Sequence, residues 1–415
     1  MPWEERPETD PLDALALDRL GLAAPLLGAT GWIDDLARLV AIDTAAPPGQ
    51  GYGAFAALLQ DMFAPLGFGL RRLTMPEEAL SGAPDGGPRI NLIASRRSGR
   101  PVCCLHFQMD TPPAGPGWSR PPLTLTRQGH LLYGLGTRRM KGAIAAVWAA
   151  LRAADAVGLG LRFDPLLVFT TDGGQGANPH AGLRHLAEQG VLEGHLVSLG
   201  GLAAPRLWTG SPACLDLEIR IPAGAGAAEA ALPVLSRLTA LQGQLGQGTD
   251  CRNEGPRLSI TTVSAEQAVD RSNAFCSLGL HRRLGAGETR ESILAELDAV
   301  LRDVLPPGHT ATIREVAAIP AVTEPHRGPN AGRWQQAMRW GFGFGPEAFR
   351  EYGGAAPSAL GFVQQAGVSE ILQAGLQRLG QPAQGPDECT SIDDVEALAR
   401  ALLAYLADVP EFPSF

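Results

Sequence analysis

The strand pattern of this chain changes at residue 213 and changes back near residue 322, and that double switch constrains the fold more than any other feature. Before it, the short runs "RINLIAS", "VCCLHF", "PLLVFTT" and "HLVSL" are apolar almost throughout. Strands of that kind are buried on both faces, as in a parallel sheet covered by helices. Helical periodicity lies between them. In "GWIDDLARLVAID" the spacing puts Ile33, Leu36, Ala37 and Val40 on one face, and Phe55, Leu58, Leu59 and Met62 form the stripe of the next helix. Further helices are predicted over 141–155 and 179–189, the second with Asn178 as cap and Pro179 in its first turn. At 213, "CLDLEIRI" alternates strictly, with Leu215, Leu217, Ile219 and Ile221 on one side and charges on the other, so one face of that strand is wet. A long Ala/Leu helix, "RLSITTV", "NAFCSLGLH", a helix capped by Thr289 and running through Leu305, and "TATIREV" complete a β-α-β-β-α-β run. The chain closes on "SIDDVEALARALLAYL", with Ser391 as cap and Val395, Leu398, Leu402, Leu403 and Leu406 as its buried stripe. The expected fold is α/β. A mostly parallel sheet covered by helices is built from 1–212 and 323–415, and a ferredoxin-like α+β domain is inserted over 213–322.

Composition narrows the function classes. A net charge of -9 with no clustered Lys/Arg stripe argues against a nucleic-acid partner, whose phosphates demand such a stripe. No run suits a membrane partner, and the acidic lead "MPWEERPETDPLD" has no apolar core of a signal sequence, so the expected location is cytoplasmic. The cysteines lack C-x-x-C spacing and read as reduced thiols, not as a zinc knuckle or a disulfide framework.

Four stretches carry a further reading: "DTAAPPG"; "MDTPPAGPGW" leading to "LYGLGTRRMKGAIAAVWAAL"; "TTDGGQG"; and "PDECTSIDDVEALARALL". In this order, and with the inserted domain, the chain resembles the M20 family of zinc-dependent aminoacylases and exopeptidases, the group of acetylornithine deacetylase and succinyl-diaminopimelate desuccinylase. The resemblance implies that the inserted domain serves as lid and dimerisation domain, hence a homodimer. It also implies two zinc ions, a water between them, a glutamate base and five ligand side chains.

At the matching positions this sequence departs from that set. Asp110 is retained as the aspartate of the first motif, but its histidine position holds Gln108, a poor zinc ligand. The bridging carboxylate falls on Arg139, a permanent cation that repels a dication. The paired glutamates fall on Gly173 and Gly174, the next acidic ligand on Gly200 or its neighbour, and the final histidine on Gln384. Carboxylates left behind without their zinc would crowd like charges together; here they are replaced along with the ligands. The expectation is therefore a metal-free site with no cofactor.

Asp110 is the one candidate for a catalytic role, and Arg139, Arg283, Gln108, Gln384 and Asp172 are candidates for binding a small carboxylate or acylated amino-acid-like ligand. Arg139 would either pair with Asp110 or Asp172 or grip a ligand carboxylate. Arg283, in "LHRRLGAGET", matches the family arginine that holds the substrate carboxylate, against the alternative of a solvated surface arginine; Asp270 stands where the family has the accompanying asparagine. His106 is expected as a core histidine hydrogen-bonded to backbone, against a relocated metal site made with Asp110, Asp172 or His180. Glu388 is expected to cap the last helix, and Lys141 to pack its stem near a helix start. Three functions follow: a degenerate homologue that binds a ligand or partner in the old cleft; a metal-free enzyme in which Arg139 stands in for zinc; and a zinc amidohydrolase with relocated ligands.

Overall fold

A computed structural model describes residues 11–76, 88–171, 180–222, 227–246, 255–266, 275–305, 310–354, 356–380 and 385–409. The chain divides into two compact units, one of residues 1–208, 325–351 and 366–415, the other of 209–324 and 352–365.

The larger unit is built on a six-stranded sheet. Its spatial order is Gly69–Thr74, Ile90–Ser95, Asp164–Thr170, Val102–Gln108, His195–Ser198 and Ile371–Gln373. The last four strands run parallel and the first two add an antiparallel edge. Every residue of Asp164–Thr170 is buried, which is the physical origin of its unbroken apolar run.

Helix Met140–Ala156 is buried on nearly all sides, between the sheet and the helices Trp32–Ala41 and Ile392–Leu406. Its Ala-rich sequence permits that close packing. In the middle of the helix the Trp148 indole donates to Asp35 Oδ2 at 2.6 Å. Helix Ala331–Phe342 approaches Ile392–Leu406 so closely that a β-carbon on Gly341 would meet Ala401 Cβ at 2.6 Å. Ser391 caps the last helix as expected, its hydroxyl accepting from the Asp394 amide at 3.0 Å.

The smaller unit carries the β-α-β-β-α-β run. Its sheet has the order Arg257–Glu266, Phe275–Arg283, Cys214–Pro222, Thr312–Ile319, all antiparallel. Helices Ala227–Gly246 and Arg290–Val304 cover one face, closing a core over Leu215, Leu217, Ile219 and Ile221. Thr289 and Ser292 form a reciprocal capping box at the second helix, Thr289 Oγ1 accepting from the Ser292 amide at 3.1 Å.

Three local expectations are corrected. The first periodic helix buries Trp32, Asp35, Leu36, Leu39 and Val40, a face rotated toward Leu39 because Asp35 turns inward to meet Trp148. The helix expected from 179 spans Ala181–Glu188 with His180 at its cap, where a left-handed φ of 73° breaks the helical path; Asn178 and Pro179 lie outside the described residues. Residues 352–365 pack with the smaller unit, because Gln364 Oε1 accepts from the Thr323 amide and Gln364 Nε2 donates to the Thr323 carbonyl.

Candidate functional site

Strand Val102–Gln108 ends at the carboxyl edge of the parallel sheet, where open α/β folds place their ligands. Beyond it the chain turns through Met109, Asp110 and Thr111, held by paired backbone bonds: the Thr111 amide donates to the Thr44 carbonyl at 3.1 Å and the Ala46 amide to the Thr111 carbonyl at 2.9 Å. Facing this loop is the turn 134–139 that launches helix Met140–Ala156. Thr137 closes the turn, its hydroxyl donating to the Gly134 carbonyl at 2.7 Å. Gly136 sits at φ 87°, and a β-carbon there would strike the Lys141 stem at 2.9 Å, so glycine is required on both counts.

Glu388 fastens this turn. Only 4% exposed, its carboxylate accepts from the Gly136 amide at 3.1 Å and the Arg138 amide at 3.0 Å, and its own carbonyl accepts from the Gly134 amide at 2.9 Å. Burial raises its pKa above the ordinary glutamate range, opposed by those two amides and by the charges of Arg139 and Arg138. Glu388 is thus a tie across the site, not the helix cap expected from sequence.

Consecutive arginines take opposite roles. Arg138 is buried and structural, its Nε donating to the Cys389 carbonyl at 2.9 Å. Arg139, the residue before helix Met140–Ala156, is half-buried in a small pocket lined also by Gln108, Asp110, Met140, Lys141 and Glu388. Its Nε is buried and has no hydrogen-bond partner among the described residues, so pairing with Asp110 does not engage that donor; Asp172, the other expected partner, lies outside them.

Lys141 forms the floor. Its Nζ donates to the Ile42 carbonyl at 2.9 Å, and burial lowers its pKa to about 8 although the charges of Asp43 and Glu388 pull the other way. From sequence Lys141 and Glu388 are expected to be structural; both line the pocket, and the signal that could find them is their place in the motifs, Lys141 beside Arg139 in "LYGLGTRRMKG" and Glu388 in "PDECTSI".

Gly200 stands beside Met140. A β-carbon on Gly200 would meet the Met140 terminal methyl at 2.5 Å, so a thioether fills the space a longer side chain at 200 would need. Gly173, Gly174 and Gln384 lie outside the described residues, as does Asp270.

His106 is 3% exposed, shares a 3.0 Å hydrogen bond through Nε2 with the Thr170 hydroxyl, and has its pKa lowered to about 4 by burial. Its partner is a side chain, not the backbone expected, because Thr170 on the neighbouring strand sits within reach of the ring. Among the described residues, His106, Asp110 and His180 do not converge as metal donors; the cluster that does is Cys214, Asp216 and His281 in the smaller unit. There burial, with the Asp216 charge, pushes the Cys214 thiol up to about 12, which removes it as a nucleophile.

Arg283, also in the smaller unit, is 3% exposed and its Nε donates to the Gly255 carbonyl at 2.8 Å. That corrects the surface-arginine alternative. The side chain lies on the sheet face opposite the helices, opposite Cys214 in the register.

No helix among the described residues is long and apolar enough to cross a membrane. Comparison with known proteins agrees with this architecture. A succinyl-diaminopimelate desuccinylase of Novosphingobium aromaticivorans is 43% identical over 103 residues, 24% of this chain, and the match spans only a quarter (25%) of that relative's length. Among solved structures, the di-peptidase Dug1p of Saccharomyces cerevisiae superposes with a TM-score of 0.68 at 15% identity, covering 96% of this chain and 99% of that one. Human carnosine dipeptidase 1 gives 0.66 at 16% identity, covering 95% and 99%. The model of the peptidase family M20/M25/M40 matches residues 104–408, and the chain belongs to that family.

Proposed function

We propose that the cleft of this M20-family protein does not hold a catalytic zinc pair and instead binds a small carboxylated or N-acyl amino-acid-like ligand, with the Arg139 guanidinium as its anchor. The observation that carries this reading is the buried Arg139 Nε, which has no hydrogen-bond partner among the described residues, on a side chain that lines a small pocket with Gln108, Asp110 and Glu388. A buried donor without an acceptor costs roughly 1–3 kcal/mol, and a carboxylate entering the pocket would relieve it.

The donor set does not fit two zinc ions. At the ligand positions implied by the family motifs stand an amide (Gln108), a guanidinium (Arg139) and glycines, with Met140 occupying the space beside Gly200. Glu388 has its oxygens committed to the Gly136 and Arg138 amides. With glycines at the positions of the family's paired glutamates, water activation of the family type lacks its general base.

A thermal-shift series with N-succinyl and N-acetyl amino acids and dipeptides tests the proposal, with product analysis on every ligand that binds. A ligand raises the melting temperature by mass action whether or not it is turned over. The expected result is a carboxylate-dependent shift without hydrolysis, in buffer with or without added Zn2+. Arg139→Ala should weaken binding by about 1.5–3 kcal/mol, roughly 10- to 150-fold in Kd. Zinc-dependent amide hydrolysis, or an unchanged shift in Arg139→Ala, would sink it.

A further inference from the structure

The four-stranded sheet of the smaller unit has one face covered by helices and one face lined by polar side chains. On the polar face, Cys214 and Asp216 project two residues apart from one strand, and His281 stands directly opposite Asp216 on the next. One ligand atom from each lies within 4.8 Å of the other two. The geometry points to a binding site for a single divalent transition metal of the zinc type, with Cys214, Asp216 and His281 as its three protein ligands. None of its three ligands is among the residues that line the pocket of the larger unit, and it does not depend on the function proposed for that pocket.

The donor chemistry selects the class of ion. Sulfur, imidazole nitrogen and one carboxylate oxygen suit Zn2+ and its neighbours and suit Mg2+ or Ca2+ poorly, since those cations take oxygen shells. Three protein ligands leave a fourth position for a solvent molecule. Access fits that number: Cys214 is buried, whereas the Asp216 and His281 side chains are 29% and 33% exposed.

Charge also closes. A thiolate, a carboxylate and a neutral imidazole around a dication sum to zero, the thiol proton leaving to solvent as the metal enters.

The ligands are held before any metal arrives. His281 Nδ1 and Asp216 Oδ1 lie 2.7 Å apart, against about 3.3 Å for two ligand atoms at tetrahedral angles on zinc, so the ring needs to shift by only about half an ångström. The Ile319 amide donates a hydrogen bond to the Cys214 sulfur, the kind of outer support that orients a thiolate ligand. Arg283, paired with Cys214 in register, is turned aside by its Nε bond to the Gly255 carbonyl. Strand positions fix such a constellation better than loop positions do.

Cobalt serves as probe. The full chain, reduced and stripped by chelator, is titrated with Co2+ and read for a thiolate-to-cobalt charge-transfer band in the near ultraviolet. One equivalent with that band, displaced by Zn2+, is expected. Cys214→Ser should abolish the band, and His281→Gln, which keeps the cysteine and the strand, should weaken cobalt binding by at least about tenfold; Asp216→Asn repeats that loss should the serine variant fail to fold. No thiolate band at saturating Co2+, a band that survives Cys214→Ser, or affinity unchanged in His281→Gln overturns the site. Cobalt taken up without a thiolate band would count against both this site and the metal-free cleft, whereas a thiolate band leaves the reading of the cleft untouched.

Discussion

Gly142 and Gly200 look alike in sequence and are constrained by different things. A β-carbon at Gly142 would run into Leu376 Cδ1 at 2.6 Å and into the backbone carbonyl of Thr137, which cannot leave without undoing the turn that carries Arg139. At Gly200 the obstacle is the terminal methyl of Met140, the far end of a flexible chain. Gly142→Ala should therefore destabilise the protein by about 3 kcal/mol or more, and Gly200→Ala by about 1 kcal/mol or less, as read from urea midpoints. A reversed order would show that the turn yields and the thioether does not. Lys141, the residue before Gly142, gives a pH signature. Its folded pKa is about 8 against 10.5 for the ordinary lysine, so between those values the unfolded chain holds more protons and stability rises with pH. Lys141→Met should flatten that rise, measured as the difference between variant and parent urea midpoints at pH 8 and pH 10; parallel curves would mean the amine is solvated. The glycine at 200 is legible in the sequence. The methionine that takes its room is not, because Met140 and Gly200 are distant in sequence and meet only once helix and sheet have packed.

At the scale of elements, Glu388 joins the strand Cys389–Ser391 to the turn 134–139 by three backbone contacts, two of them through its carboxylate. Removing the carboxylate strands the amides of Gly136 and Arg138 in a buried place. Glu388→Ala should cost about 2–4 kcal/mol, whereas Glu388→Gln, which keeps an acceptor, should lose less than half of that; equal losses would assign the effect to charge instead of to the amides. This contact also shows what sequence can and cannot tell. The last helix was legible, since a serine cap and an apolar stripe are local and meet their partners within a few residues. The β-α-β-β-α-β order was legible too, because alternation in "CLDLEIRI" reports a half-covered strand directly. The sequence predicts the helix after strand Asp164–Thr170 two residues early, since nothing local announces that His180 adopts a positive φ. Glu388 reads as a cap in the sequence because its partners lie about 250 residues away, and only the folded chain selects them over the nearby helix end.

Across the whole molecule, the acid-sensitive groups are divided between the two units. His106 and His195, both in the larger unit, are held neutral by burial with pKa values of about 4, below the ordinary 6.5. The unfolded chain binds their two protons first, so the larger unit loses stability as pH falls from about 6.5 to 4; Glu388, shifted upward, returns a part of it. In the smaller unit, Glu218 accepts from Ser277, its first cause of depression, and pairs with Arg314 and Arg220, which hold it at about 2. Its contribution is complete above the ordinary glutamate value of 4.5 and is lost only as pH falls toward 2. The larger unit should therefore fail first on acidification. The six tryptophans among the described residues, at 32, 118, 148, 208, 334 and 340, lie in it, so their fluorescence reports chiefly that unit, while far-ultraviolet ellipticity reports both. A fluorescence transition that precedes the ellipticity loss is expected, and His106→Val, which removes one of the two protons, should move the fluorescence midpoint to lower pH without moving the later phase. Coincident transitions that stay coincident in His106→Val would mean that the units unfold as one, and that neither histidine sets the acid limit.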